Sequence, residues 1–419
     1  MTGFGLGWLR QRLEQPGERV SLDPWLCLAA ASLLAWGLVM VASASVAQAE
    51  KMTGDPFHYF WRQLVFVGLG TGLGFLVFRT PMRLWERHGL ALALAALGLL
   101  LIVLVPFIGV EVKSARRWLD LGLFRLQASE PARLMLILYL AGYIVRRQAR
   151  LQTRWSGLLL PFLPLLIAAG LLILEPDFGA TAILLAVAMI MLFLGGARLL
   201  HLILLGVVAL AGLALVAVAE AYRVRRLIHF SDPFKDIENG GWQLAQSLIA
   251  VGRGEVTGVG LGNSIQKLLY LPEMHTDFIF AILAEEFGLI GVAVLIGLFA
   301  LLVARAFAIG ARAEVAGRRF PAYLVYGIAS WLGLQTLINL AVNMGALPTK
   351  GLTLPLMSYG GSSLITVMVM LALVLRVDWE NRQAGEGRAD PARAPRAEPA
   401  AEGLRFPPLA ARSPLESGS

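Results

Sequence analysis

Residues 262–291 read GNSIQKLLYLPEMHTDFIFAILAEEFGLIG, a polar loop that runs straight into a long apolar helix. His275, Thr276 and Asp277 stand at the mouth of that helix, where water gives way to lipid. A carboxylate held there is costly to desolvate and marks a functional site by default. The surrounding chain is of the kind that makes such a boundary. Hydrophobic residues are 57% of the 419 and charged residues 15%, with a mean hydropathy of +0.69. Soluble domains of this length do not have that balance; polytopic membrane proteins do.

Apolar runs able to cross a bilayer as helices recur about ten times. They lie near 25–45, 59–79, 90–108, 130–145, 158–174, 181–194, 199–219, 277–307, 323–344 and 358–375. The expected fold is therefore all-α, a ten-helix membrane domain over 25–379. A leader (1–24) precedes it, a large loop (about 222–276) interrupts it, and a tail (380–419) follows. The first run ends in VASASVAQA, which has the look of a cleavage site, but its length favours an uncleaved helix. Short loops that keep Lys and Arg stay inside. Arg10, Arg12 and Arg19, then Arg79, Arg83 and Arg87, then Arg146, Arg147, Arg150 and Arg154, then Arg305, Arg312, Arg318 and Arg319 all fall on one side if the N-terminus is cytoplasmic. The even count puts the C-terminus there too.

Cys27 is the only cysteine, which excludes an intramolecular disulfide and a thiolate metal cluster. The tail is rich in Pro, Ala, Arg, Glu and Gly and is expected to be a disordered cytoplasmic extension. No GxxxxGK[ST], HExxH or dinucleotide fingerprint is present. A nucleotide or organic cofactor and a nucleic-acid partner are accordingly not expected.

The outward loops break the charge bias. The stretch 111–134 carries Lys113, Arg116, Arg117, Arg125 and Arg133, and the long loop carries Arg223, Arg225, Arg226, Lys235, Arg253 and Lys267. Exported cations of this number suit an anionic ligand on the outer face, since Arg and Lys bind phosphate oxygens through charge-assisted hydrogen bonds. Pairing with Glu111, Asp120, Glu130, Asp232, Asp236 and Glu238, or with lipid headgroups, is the alternative for any one of them. GRGEVTGVGLGN (252–263) reads as a turn-rich re-entrant or surface segment, and LPTKGLTLPLMSYGGSS (347–363) as broken backbone carrying Lys350. Ser358, Ser362 and Ser363 either donate to a bound headgroup or satisfy freed backbone groups.

A hydroxyl nucleophile at neutral pH needs a base within hydrogen-bond reach, and Asp277 is the best placed. Glu286, nine residues on, would lie roughly 13 Å deeper on a continuous helix and about half a turn around. Glu285 is also too deep, so both read as internal polar links. Asp177, beside Pro176 and Gly179, reads as a helix cap competing with a catalytic role. His275 is placed to bond near Asp277; a metal-ligand role has no second His or Cys at ligand spacing.

These motifs, in this order from about 25 to 379, resemble the SEDS family (shape, elongation, division and sporulation) of multi-pass peptidoglycan glycosyltransferases. GNSIQKLLYLPEMHTDFIFAI and LPTKGLTLPLMSYGGSS are similar to the wording of its cell-division branch; the elongation branch typically lacks the QK pair and the PTKG stretch. The resemblance implies polymerisation of lipid II into septal glycan strands on the outer face of the cytoplasmic membrane, with Asp277 catalytic. It carries the family's QPSExxK element onto Gln127, Ser129, Glu130 and Arg133, and its NGAxRW element onto 113–118. KSARRW lacks the Asn-Gly pair, Ala128 replaces Pro, and Arg133 stands where Lys is common.

The same resemblance implies a divalent cation (Mg²⁺ or Mn²⁺), a class B penicillin-binding protein and other divisome membrane proteins as partners. Arg117, Arg133, Arg253 and Lys350 are the candidates to hold pyrophosphate charge, with Gln127, Glu130, His275 and Ser362 as further substrate contacts. A lipid II flippase and a non-catalytic scaffold for a transpeptidase are the rival classes.

Overall fold

The computed structural model describes residues 22–112, 115–122, 124–153, 155–218, 230, 233–235 and 241–389. The cations Lys113, Arg154, Arg223, Arg225 and Arg226, the acids Asp232, Asp236 and Glu238, the leader up to residue 21 and the tail beyond 389 lie outside the described residues. Each of the ten apolar runs falls on a helix: α1 (Pro24–Thr53), α2 (His58–Arg79), α4 (Gly89–Leu104), α5 (Ser129–Thr153), α6 (Trp155–Leu174), α7 (Phe178–Leu194), α8 (Leu199–Val218), α10 (Ile279–Val315), α11 (Arg319–Asn343) and α12 (Gly361–Ala389). Two shorter helices join them, α3 (Met82–Arg87) and the amphipathic α9 (Trp242–Arg253). Among the described residues, six helices are long and apolar enough to span a bilayer, and α4, α7 and α8 are shorter apolar helices.

Burial sorts the helices. In the most apolar stretch of α11, 72% of residues are inside the molecule, and in α12 78%, against 28–44% for the other four long helices. α11 and α12, with the buried first half of α5, are the core, while α1, α2, α6 and α10 leave much of their apolar surface exposed. α10 packs on α11, α12 on α2, α4 on α5, and α1 on α10. The last helix continues past the expected domain end at Trp379, because Glu380 and Asn381 receive Arg318 and Arg382 returns to Asp378 at 3.0 Å.

Between α4 and α5 the chain forms a small antiparallel sheet, β1 (Gly109–Val112), β2 (Ala115–Asp120) and β3 (Arg125–Gln127), in the order β1-β2-β3. Trp118 pairs with Gln127 and Asp120 with Arg125. This is the one departure among the described residues from an all-helical chain. The strands are too short, and too mixed with Arg and Asp, to show a period of two. Ser362 Oγ anchors the sheet by accepting from the Gln127 amide (2.8 Å) and donating to the Arg125 carbonyl (3.0 Å).

α10 is broken within its apolar run at Gly288 (φ 63°, ψ −162°). The glycine-rich segment after α9 docks onto that break. Val259 and Gly260 donate to the carbonyls of Glu285 and Glu286, while Leu289 and Ile290 donate back to Glu255 and Val256. A Cβ at Gly258 would lie 2.2 Å from the Glu286 carbonyl oxygen, and one at Gly288 would lie 2.4 Å from the Gly258 nitrogen. Glycine at both positions is thus required by close approach of backbone as well as by positive φ. The two glutamates are internal links, as their depth implies. Glu285 takes Arg253 at 2.6 Å, Ser264 and the amide of Ile265; Glu286 takes Ser43 at 2.8 Å and Lys267 at 3.0 Å.

Candidate active site

A cavity of about 1370 Å³ opens where β2, β3 and the N-terminal ends of α5, α7, α10 and α12 converge. Asp277, Arg117, Gln127, Glu130, Arg133, Lys350 and Ser362 all line it. Seven of the nine expected site residues are therefore brought together from segments more than 200 positions apart in the chain.

Asp277 stands two residues before α10, at the end of a tight loop in which the Glu273 carbonyl receives the amides of Thr276 (3.2 Å) and Phe278 (3.1 Å). Its own backbone carbonyl is gripped by two side-chain amides of α11, Asn339 at 3.0 Å and Asn343 at 3.1 Å. The 348–353 loop passes directly over the carboxylate: a Cβ at Gly351 would sit 3.0 Å from Asp277 Oδ2. The neighbouring Lys350 lays its ammonium over the Phe178 ring, 3.5 Å from the centroid, a cation–π contact that holds the charge at the cavity wall.

The arginines are already engaged. Arg117 donates through Nε to the Glu175 carbonyl (2.8 Å) and through Nη2 to the Pro176 carbonyl, so its fork clamps the α6–α7 turn. Arg133 is 2% exposed, paired with Glu130 and stacked over Trp331 at 4.4 Å. Both keep positive charge on the wall, but as fixed charges held by the fold.

Gln127 Nε2 donates to Asp177 Oδ2 at 3.2 Å, and Asp177 Oδ1 caps α7 by accepting from the Ala180 amide. Asp177 thus caps α7, and it also stands on the cavity wall. Ser362, which ties β3 to α12, spends its hydroxyl on backbone. Thr353 and Ser363 both stand on the wall, their hydroxyls hydrogen-bonded to each other at 3.0 Å.

Two expected contacts lie elsewhere. Arg253 is turned to Glu285 beneath the docked loop, off the cavity wall. His275 is 4% exposed and packs its ring between Tyr59 (4.6 Å) and Tyr359 (5.6 Å), with its carbonyl receiving the Tyr359 amide. It braces the loop that carries Asp277 and does not line the cavity.

Sequence reasoning passed over Glu273, Gln335, Asn339 and Asn343. The last three were detectable, since Gln335, Asn339 and Asn343 recur every four residues and so share one face of an apolar helix. Glu175 was missed too. It is fully buried in the α6–α7 turn, both carboxylate oxygens lack a hydrogen-bond partner, and burial, reinforced by the Asp177 charge and opposed by Arg117, pushes its pKa up to about 8.

Among known proteins, the chain is 54% identical over 366 residues to the "Probable peptidoglycan glycosyltransferase FtsW" of Nitrosococcus halophilus, covering 87% of this chain and 94% of that one. It is 48% identical over 360 residues to the protein of the same name from Coxiella burnetii, covering 86% and 97%. Among solved structures, it superposes on a chain described under "Structural coordination of polymerization and crosslinking by a peptidoglycan synthase complex" with a TM-score of 0.71 and 34% identity, covering 87% of this chain and all of that one. The rod shape determining protein RodA of Thermus thermophilus gives 0.64 and 32%, covering 86% and 98%. A family model described as "Cell cycle protein" (FTSW_RODA_SPOVE) matches residues 24–383, and because that match takes in nearly all of the helical domain and every wall of the cavity, the chain belongs to that family.

Proposed function

We infer that this chain is a peptidoglycan glycosyltransferase that polymerises lipid II into β-1,4 glycan strands at the division septum, with Asp277 as its general base. The observation that carries the reading is the Asp277 carboxylate set in the wall of a 1370 Å³ cavity that also presents Arg117, Arg133 and Lys350. A single base facing fixed positive charge is the equipment an inverting transfer to a pyrophosphate leaving group requires.

The Asp277 carboxylate takes the proton from the C4 hydroxyl of the acceptor N-acetylglucosamine. That oxygen forms a bond to C1 of the donor strand's terminal N-acetylmuramic acid. The C1–O bond to pyrophosphate breaks, and undecaprenyl pyrophosphate leaves with the electron pair. One displacement converts the α-linked donor into a β linkage. Lys350 and the clamped Arg117 supply preorganised positive charge where the leaving group develops its own, and Thr353 and Ser363 offer hydroxyls for sugar or phosphate oxygens. Leu210, Leu213 and Ala214 of α8 give the cavity an apolar side suited to a polyprenyl chain.

Among the described residues no three or more His, Cys, Asp or Glu side chains converge to hold a metal ion. No step above depends on a metal ion. A Mg²⁺ or Mn²⁺ ion would be held together with the substrate's pyrophosphate, with the Glu273 carboxylate on the wall as a protein ligand, and would supply charge neutralisation to the leaving group.

A class B penicillin-binding protein is the partner we propose for cross-linking, alongside other divisome membrane proteins, in line with the structural neighbour described as coordinating polymerization and crosslinking. The test is polymerisation of lipid II by the purified protein with that partner in detergent, where there are no leaflets to cross. Glycan strands are the expected product. Absence of strands, together with lipid II translocation by the same protein in vesicles, would establish the flippase reading instead.

A further inference from the structure

We propose that Asn339 is a positioning residue for polymerisation: one side-chain amide holds the Asp277 base and the Lys350 loop in a single geometry. The proposal rests on the reading of Asp277 as general base and adds to it a reason for the base's fixed relation to the cation.

An amide nitrogen carries two donors, and Asn339 sends them to two different walls of the cavity. Its Nδ2 lies 3.0 Å from the carbonyl of Asp277 and 2.6 Å from the carbonyl of Leu352. Leu352 follows Gly351, whose backbone passes so close to the Asp277 carboxylate that a Cβ there would come within 3.0 Å of Oδ2. Lys350 is the next residue back. A shift of the Leu352 carbonyl therefore moves Lys350 relative to the carboxylate.

The support is rigid. Asn339 is 2% exposed and sits on the deeply buried α11, one turn from Asn343, which is fully buried. Asn343 gives the Asp277 carbonyl a second donor at 3.1 Å and bonds the Asn339 carbonyl at 2.9 Å. Asn343 thus steadies only the base, whereas Asn339 spans base and loop. Gln335, a turn earlier on the same face, donates to the Thr353 carbonyl at 2.8 Å and extends the hold on that loop.

A purely structural amide would satisfy the same two carbonyls, so the test must separate geometry from stability. The full chain is purified with its transpeptidase partner as wild type, Asn339→Asp, Asn339→Ser, Asn343→Ala and Asp277→Asn. Lipid II polymerisation is followed against substrate concentration, with thermal unfolding and hydrogen exchange of the 349–353 loop. Asp at 339 keeps the size of Asn but turns acceptors toward two carbonyls. Displacements of about 1 Å cost on the order of 100-fold in rate. The expected result is a kcat reduced about 30- to 100-fold, with KM held within about threefold and faster exchange at 349–353. Ser, with one donor, should lose less, and Asn343→Ala should leave loop exchange unchanged.

Wild-type kcat in Asn339→Ser with Asp277→Asn inactive would overturn the positioning role and leave the base intact. A kcat loss matched by an equal fall in thermal stability, with no selective change in loop exchange, would overturn it as well. Normal polymerisation by Asp277→Asn would sink the general-base reading and this proposal with it. Should Asn339→Asp fail to fold, the Ser variant alone decides.

Discussion

At the residue scale the proposed chemistry turns on one carboxylate and the glycine beside it. General-base catalysis contributes typically ~10²–10⁴-fold, so Asp277→Asn should reach the membrane folded and make almost no glycan strand. Asn keeps the size and hydrogen bonding but cannot accept the proton. Asp277→Glu moves the carboxylate by one methylene and should recover little. Gly351→Ala is the complementary change. Its backbone φ lies outside the region reserved for glycine, so the added methyl acts through space alone, pressing on Oδ2 from 3.0 Å. Polymerisation should fall about 10-fold at an unchanged thermal midpoint, the size of a sub-ångström misplacement of the base. Unaltered rates in steady-state assays would mean the carboxylate can give way freely. Asp277 was legible in the sequence because a charge at a helix mouth in an apolar chain is conspicuous. Arg253 and His275 were misassigned to the cavity for the opposite reason. Charge and ring are visible in a sequence, but their partners, Glu285 and the Tyr59–Tyr359 pair, are decided by packing.

At the element scale the site depends on turns that hold buried polar groups. Glu175 illustrates the energetics. In an unfolded chain its carboxyl titrates near 4.5, and in the folded turn near 8. An acid whose folded pKa is raised gives stability that is fully present below its unfolded pKa and lost as pH rises through the folded one. The loss therefore accumulates from about pH 4.5 to about pH 8. Glu175→Gln, neutral throughout, should remove that slope. Thermal unfolding should show the variant roughly 2–4 °C more stable at pH 8 and indistinguishable from wild type below pH 4.5. An equal difference at both pH values would show that packing, not ionisation, separates them.

The docked glycine segment makes the parallel point for geometry. Its turns could be read from composition, yet its seat on a broken α10 could not. The break lies inside a long apolar run, where the docked backbone trades hydrogen bonds with both sides of Gly288 and leaves no room for a Cβ there, which would lie 2.4 Å from the Gly258 nitrogen. The small sheet escaped notice because three short strands carry Arg and Asp on faces half-exposed at the cavity rim.

At the scale of the whole molecule the two ends have different work. One end holds the cavity. The other is tied by charge: buried Asp23 takes Arg305 at 2.5 Å and Arg312 at 3.2 Å, and Arg312 reaches Asp378 at 2.9 Å, joining the starts and ends of α1, α10 and α12. Burial alone would raise the Asp23 carboxyl, but the two arginines and the Leu26 amide hold it at about 2. The bias of Lys and Arg is what points one end toward the cytoplasm, and the ten apolar runs could be counted in the sequence, although among the described residues six of the helices are long and apolar enough to cross and three are shorter.

The orientation can be tested with the lone cysteine removed. In a Cys27→Ser background, Asn263→Cys places an exposed thiol on the loop at the cavity end, and Arg150→Cys places one near the α5–α6 turn at the other. An impermeant thiol reagent added to intact spheroplasts should label the first and leave the second untouched until the membrane is opened. Polymerisation of both variants should match wild type, since neither side chain lines the cavity. The reverse labelling would put Asp277 on the cytoplasmic side, where a strand could not be delivered to the wall without further transport, and the glycosyltransferase reading would have to yield to one that moves the lipid across.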